Sequence, residues 1–146
     1  PSYPYYAKDT IAYTTIAGAG GSSDFGDLAV GAKYLGGLAN STRGIFAGGF
    51  NNSGPGTAGV ALNTIQYVTI ASTTNTTDFG DLLAGANSCS GCANEERGVI
   101  WGGFDQTSYS NVIQYITIAS TGNSTDFGDL ANSRTAMRGG ACCGGN

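Results

Sequence analysis

Few residues in this chain of 146 have the types and spacing that chemistry needs. Two carboxylates three residues apart occur as Asp24 and Asp27, again as Asp78 and Asp81, and again as Asp126 and Asp129. Such pairs serve calcium binding or acid–base work. A catalytic pair is normally singular, whereas this one recurs in every copy, so the spacing favours Asx-type turns and backbone capping. There is no histidine, which removes the commonest general base and the commonest transition-metal ligand. These residues predict no catalytic group, no metal site and no cofactor.

The four cysteines are Cys89, Cys92, Cys142 and Cys143. Cys89 and Cys92 have the CxxC spacing of a zinc knuckle or a redox motif, but Cys142 and Cys143 are adjacent and make a poor second chelating pair. Three readings stay open: buried thiols or a disulfide, a metal site, and redox chemistry. The first is preferred, and a bridge between the two pairs would suit an oxidising compartment. Asn40, Asn51, Asn75 and Asn123 each begin an Asn-x-Ser/Thr glycan-acceptor pattern. Turn formation accounts for the same residues in a chain rich in Asn, Ser and Thr. Gly18-Ala19-Gly20-Gly21 lacks the following Lys-Ser/Thr of a phosphate cradle.

What positions these residues is a repeat. Ile-Ala-Tyr-Thr-Thr-Ile-Ala at 11–17, Ile-Gln-Tyr-Val-Thr-Ile-Ala at 65–71 and Ile-Gln-Tyr-Ile-Thr-Ile-Ala at 113–119 are each followed by Asp-Phe-Gly-Asp-Leu. The first Asp of that motif stands at 24, 78 and 126, which gives periods of 54 and 48 residues. Self-similarity at this period marks a repeat architecture, and each copy needs its neighbours to bury its apolar face. The opening segment reads as a strand, with β-branched and aromatic residues on both faces. In Asp-Phe-Gly-Asp-Leu the Phe and Leu are expected in the core and the Asp in turns, around a glycine that can take φ > 0. In the second copy, Tyr67, Ile70, Phe79 and Leu82 are the expected core.

Leu35-Gly36-Gly37-Leu38 and Cys89-Ser90-Gly91-Cys92 are equivalent, and each predicts a closely packed small-residue strand. Cys89 and Cys92 thus replace leucines. Arg43 to Phe50 and Arg97 to Phe104 are apolar runs ending in a glycine pair, read as buried strands whose ends are crowded by other backbone. Three to four strands per repeat predict one small antiparallel sheet each.

The organisation is an N-terminal arm at 1–9, repeat one at 10–63, repeat two at 64–111 and an incomplete repeat three at 112–146, about 2.7 repeats of 48–54 residues. The absence of an initiator Met and of a signal-like run predicts a processed chain or a piece of a longer one. Repeat length varies only after the glycine pair, so the loops 51–63 and 105–110 are expected on an exposed face. Asn51, Asn52, Asp105, Gln106 and Tyr109 are the candidate ligand-binding residues there.

Composition agrees with an all-β protein working outside a cell. Charged residues make up 11%, where about 25% is typical, and there are 25 glycines. The six basic residues, Lys8, Lys33, Arg43, Arg97, Arg134 and Arg138, are scattered in a chain of net charge −4, so no nucleic-acid partner is expected. No apolar run is long enough for a helical membrane span.

An apolar strand ending in Gly-Gly, a variable loop, a strand with a central Tyr and an aromatic about a dozen residues on resembles the kelch repeat of β-propellers. The matching residues are Gly48-Gly49, Tyr67 and Phe79, and Gly102-Gly103, Tyr115 and Phe127, with Arg43 and Arg97 before the glycine-pair strands. The chain departs from that pattern in having Phe where kelch repeats usually carry Trp, and Val or Ile after the Tyr. The strings Tyr115 to Leu130 and Thr42 to Gly49 look like kelch-like repeats in tail or appendage proteins of aquatic bacteriophages. The resemblance implies four-stranded blades with the Gly-Gly strand toward the inside. Propellers need about 4–8 blades to close, so it implies an incomplete ring, completed by self-assembly or by further sequence.

The expected function is that of a non-enzymatic structural repeat protein of a phage tail, fibre or extracellular appendage, in a virion or outside a cell. Its partners would be copies of itself, with a cell-surface glycan or protein at the loops. Two alternatives are a self-polymerising extracellular filament and a section of a carbohydrate-binding or hydrolytic propeller.

Overall fold

The computed structural model describes residues 6–52, 58–131 and 141–143. These residues form thirteen strands and no helix, so the all-β expectation is met. The principal sheet holds β3 (Gly36–Ala39), β4 (Arg43–Ala47), β7 (Thr64–Thr69) and β8 (Thr77–Asp81), antiparallel in that order. Its counterpart holds β9 (Ser90–Ala93), β10 (Arg97–Trp101), β11 (Val112–Thr117) and β12 (Thr125–Asp129), with β13 (Ala141–Cys143) added parallel to β9. Ahead of both lies a hairpin of β1 (Lys8–Tyr13) and β2 (Ser23–Ala32), and a short ribbon pairs β5 (Phe50–Asn51) with β6 (Val60–Ala61). The described strands close no ring.

Sequence repeat and sheet are out of phase. The boundaries at 64 and 112 fall in the middle of sheets: β3 and β4 of repeat one are completed by β7 and β8 of repeat two. Each four-stranded unit therefore ties two consecutive repeats together. Lys8 and Asp9, assigned by sequence to the arm, belong to β1, and residues 1–5 of the arm lie outside the described residues.

The two sheets share one core, in which Leu38, Ile45, Ile65, Phe79 and Leu82 meet Cys89, Ile100, Ile116 and Ile118. Five of its isoleucines are essentially sealed from water, worth roughly 1.5–3 kcal/mol each. Small residues make the close approach of the sheets work. A Cβ on Gly91 would stand 2.8 Å from Leu38 Cδ2, and one on Gly98 2.7 Å from Leu38 Cδ1. Gly48, Gly49 and Gly103 end their strands against foreign backbone, as expected, whereas among the described residues a Cβ on Gly102 would meet nothing closer than 4.0 Å. Gly48 (φ +63°) has Ala86 O where its Cβ would be, and Gly49 N donates to Ala86 O at 2.9 Å.

Two expectations are corrected. The Asp residues of Asp-Phe-Gly-Asp do not form turns; they lie in β2, β8 and β12. In β8 the register passes from Ile65↔Gly80 to Gln66↔Asp78, so Phe79 is the extra residue of a bulge that aims it at the core. Gly80 accommodates this with φ +144°. Ile70, expected in the core, is 46% exposed, whereas its repeat equivalent Ile118 is fully buried. The start of β4 reaches over Ile118, Arg43 Nη1 donating to Ile118 O at 2.5 Å.

Candidate functional site

Among the described residues, polar side chains gather with defined geometry at the variable loops after the glycine pairs, at the joints between successive sheets and where Asn40 and Ser41 meet Glu95. The loop face contains the five candidate ligand residues, and the structure sorts them. Asn51 Nδ2 donates to Gly31 O at 2.6 Å and Asn52 Oδ1 accepts from Ala7 N at 3.2 Å, so both tie the ribbon to the hairpin. Asp105 Oδ1 accepts from Thr107 N and Ser108 N, each at 2.7 Å, and Oδ2 accepts from Ser108 Oγ at 3.2 Å. These donors, the Ser108 N–H foremost and then the Thr107 N–H, hold its carboxyl below the ordinary Asp value.

Gln106 adopts φ +81°. With its amide turned to satisfy both groups, its nitrogen donates to Gly59 O at 2.7 Å and its oxygen accepts from Ala61 N at 3.2 Å. It therefore joins the two variable loops, which sequence reading treated as separate. Tyr109 packs on Phe104 with ring centroids 5.0 Å apart and stays half in solvent. Beside it opens a cavity of about 220 Å³ lined by Leu83, Ala84, Gly102, Asp105, Tyr109 and Val112 among others. Of the five candidates, Asp105 and Tyr109 line this cavity. Residues 53–57 at the tip of the longer loop lie outside the described residues.

The joints combine Gln66, Thr76, Gln114 and Ser124, which were given no role in the sequence, with the glycan-pattern residues Asn75 and Asn123. In the first, the buried Gln66 accepts from Val30 N at 3.1 Å and donates to Val30 O at 3.2 Å. Thr76 Oγ1 donates to Gln66 Oε1 at 2.8 Å and accepts from Ala29 N at 2.7 Å, while Thr76 N donates to Asp27 O at 2.8 Å. Asn75 Oδ1 accepts from Asp27 N at 3.0 Å. The second joint repeats the pattern. Gln114 Oε1 accepts from Leu83 N at 3.0 Å and from Ser124 Oγ at 2.6 Å; Ser124 N donates to Asp81 O at 2.8 Å, and Asn123 Oδ1 accepts from Asp81 N at 3.0 Å. A Gln in the middle of an apolar strand, at 66 and at 114, was the available signal.

The glycan-pattern asparagines hold backbone. Asn75 and Asn123 act in the joints. Asn40 Oδ1 accepts from Thr42 N and Arg43 N at 2.9 and 2.8 Å, and its nitrogen donates to Glu95 O at 2.9 Å. Cys89 is a buried thiol whose Sγ contacts Ala86 O at 3.6 Å, and burial pushes it up to about 11. Cys92 is half-buried in β9, where the backbone of Cys142 is its register partner. The side chains of Cys142 and Cys143 lie outside the described residues. No group of three or more potential metal ligands exists among the described residues. Arg43 and Arg97 lie over the rings of Tyr67 and Tyr115 at 4.5 and 4.4 Å, so both guanidiniums brace the repeat.

The arrangement defines an all-β repeat protein whose buried polar chemistry serves sheet-to-sheet contact. No family model matches the chain, and no curated protein is significantly similar to it.

Proposed function

We propose that the chain is a non-enzymatic structural repeat protein of a phage tail, fibre or comparable extracellular appendage, acting by assembly, with its sheets serving as kelch-like propeller blades. The observation that carries this reading is the repeated joint. The buried side chains Gln66, Thr76, Gln114 and Ser124 are all spent on holding one sheet to the next. Repeat architectures work in this way, since each unit's stability comes from its neighbours.

Recognition of a cell-surface glycan or protein fits the loop face, where Asp105 and the half-exposed Tyr109 flank a cavity on a rigid frame. Polymerisation into a filament is the other outcome of the same assembly, when successive contacts fail to close. Negative-stain imaging with a solution mass measurement tests the proposal. Multi-copy rings or fibres are expected. A monomer that cleaves a glycoside would overturn it and favour a hydrolytic propeller section.

A further inference from the structure

The joint motif occurs three times in half and twice in full. Its receiving half is the Asp-Phe-Gly-Asp strand with the residues just after it. In β2 and β8 the glycine of that strand is covered by the next repeat: a Cβ on Gly26 would lie 2.6 Å from Thr74 O, and one on Gly80 2.4 Å from Gly122 O. In β12 a Cβ on Gly128 (φ +135°) would meet nothing within 4 Å among the described residues. Phe127 is 56% exposed, where the equivalent Phe79 is 2% exposed. Both rings keep the same edge-on contact with their tyrosines, at 5.8 and 5.9 Å, so the strand is preformed.

The inserting half is also present once more, at the other end. Repeat alignment places Ala12, Gly21 and Ser22 where the second repeat has Gln66, Asn75 and Thr76. Ala12, Gly21 and Ser22 are exposed, Tyr13 is half in solvent, and Ile16 at the hairpin tip is fully exposed. Ser22 matches Ser124, and the backbone N–H groups of residues 20 and 22 match the Gly122 and Ser124 donors to Phe79 O and Asp81 O.

We propose that the Ile11–Ser23 hairpin of a second copy of this chain docks on the Phe127–Ala131 edge, remaking the internal joint between molecules. This rests on the assembly reading above and names its contact. The interface is heterologous, head to tail, and closes into a ring or runs on as a fibre. With Ala12 and Gly21 in place of Gln and Asn, the joint keeps its backbone and serine bonds and loses its buried amides. It is therefore weaker and more reversible than the internal ones.

The test uses sedimentation velocity on the full chain and three variants. Ala12→Gln/Gly21→Asn installs the missing amides at exposed positions and is expected to tighten self-association by at least about tenfold. Phe127→Asp and Ser22→Lys, both at exposed positions, are each expected to abolish it. An equimolar mixture of these two is expected to give a dimer and nothing larger, because each retains the half that the other has lost. Assembly unchanged by all three variants would overturn the hairpin contact while leaving the assembly reading in place. A monomer at every concentration, the Gln/Asn variant included, would overturn both.

Discussion

The side-chain amide of Gln66 meets the backbone of Val30 as a neighbouring strand would, accepting from its N–H at 3.1 Å and donating to its carbonyl at 3.2 Å. A strand edge leaves N–H and C=O groups that need partners. Here a side chain from the following sheet supplies them, and Thr76 Oγ1 supports that side chain from behind at 2.8 Å. Burial makes the arrangement all or nothing, since a half-satisfied polar network is worse than none.

Gln66→Leu keeps the volume and removes both bonds, leaving the Val30 groups and the Thr76 hydroxyl without their partner. A loss of about 2–4 kcal/mol in unfolding free energy is expected from urea titration. A Gln66/Thr76 double-mutant cycle should show coupling of roughly 1 kcal/mol or more. Additive effects would contradict the shared network.

Gly80 and Gly128 have nearly the same φ, +144° and +135°, but among the described residues of a single chain only Gly80 faces foreign backbone. Alanine at either position bears the strain, about 1–3 kcal/mol. Gly80→Ala should cost about 1–3 kcal/mol more than Gly128→Ala, because Gly122 O stands in the way. Thermal unfolding of the two variants side by side measures the difference.

Burial holds the Cys89 thiol up to about 11, against 9.0 for a free thiol. A raised folded value means that the contribution is fully present below pH 9 and fades as pH climbs through 11. The stability advantage of the native chain over Cys89→Ala should therefore shrink by up to about 2–3 kcal/mol across that window. In the folded chain Cys89 should resist alkylation at pH 8, with modification following global unfolding.

Asp105 works in the opposite sense. Its carboxyl lies below the ordinary value because Ser108 N and Thr107 N donate to it, so the loop contact persists above that value and is lost as pH falls through the depressed one. Amide protection at Thr107 and Ser108, taken relative to intrinsic exchange at each pH, should persist below the titration of a free Asp and then fall away. Asp105→Ala should abolish that protection at all pH values while leaving β10 and β11 protected.

The strands, the crowding at Gly48, Gly49 and Gly103 and the core roles of Phe79 and Leu82 were legible in the sequence because periodicity and burial are local properties. The bulge at Phe79 was not, since it exists only in the register between β7 and β8. Nor was the contrast between Ile70 and Ile118. Identical repeat positions differ in burial because their neighbours differ, and a repeat alignment treats them as equal. Gln66 and Gln114 were visible as polar residues in apolar strands, but their partners, Val30 and Leu83, belong to the sheet before. Asp105 was singled out as a ligand group, and that its carboxylate also accepts from Thr107 and Ser108 of its own loop was not visible in the sequence.

The most direct measurement is the solution mass of the purified chain over a wide concentration series, with the largest species imaged in negative stain. Masses climbing in whole multiples of one chain, with rings or fibres on the grid, are the expected result. A single-chain mass at every concentration and isolated small particles on the grid would contradict a protein that acts by assembly.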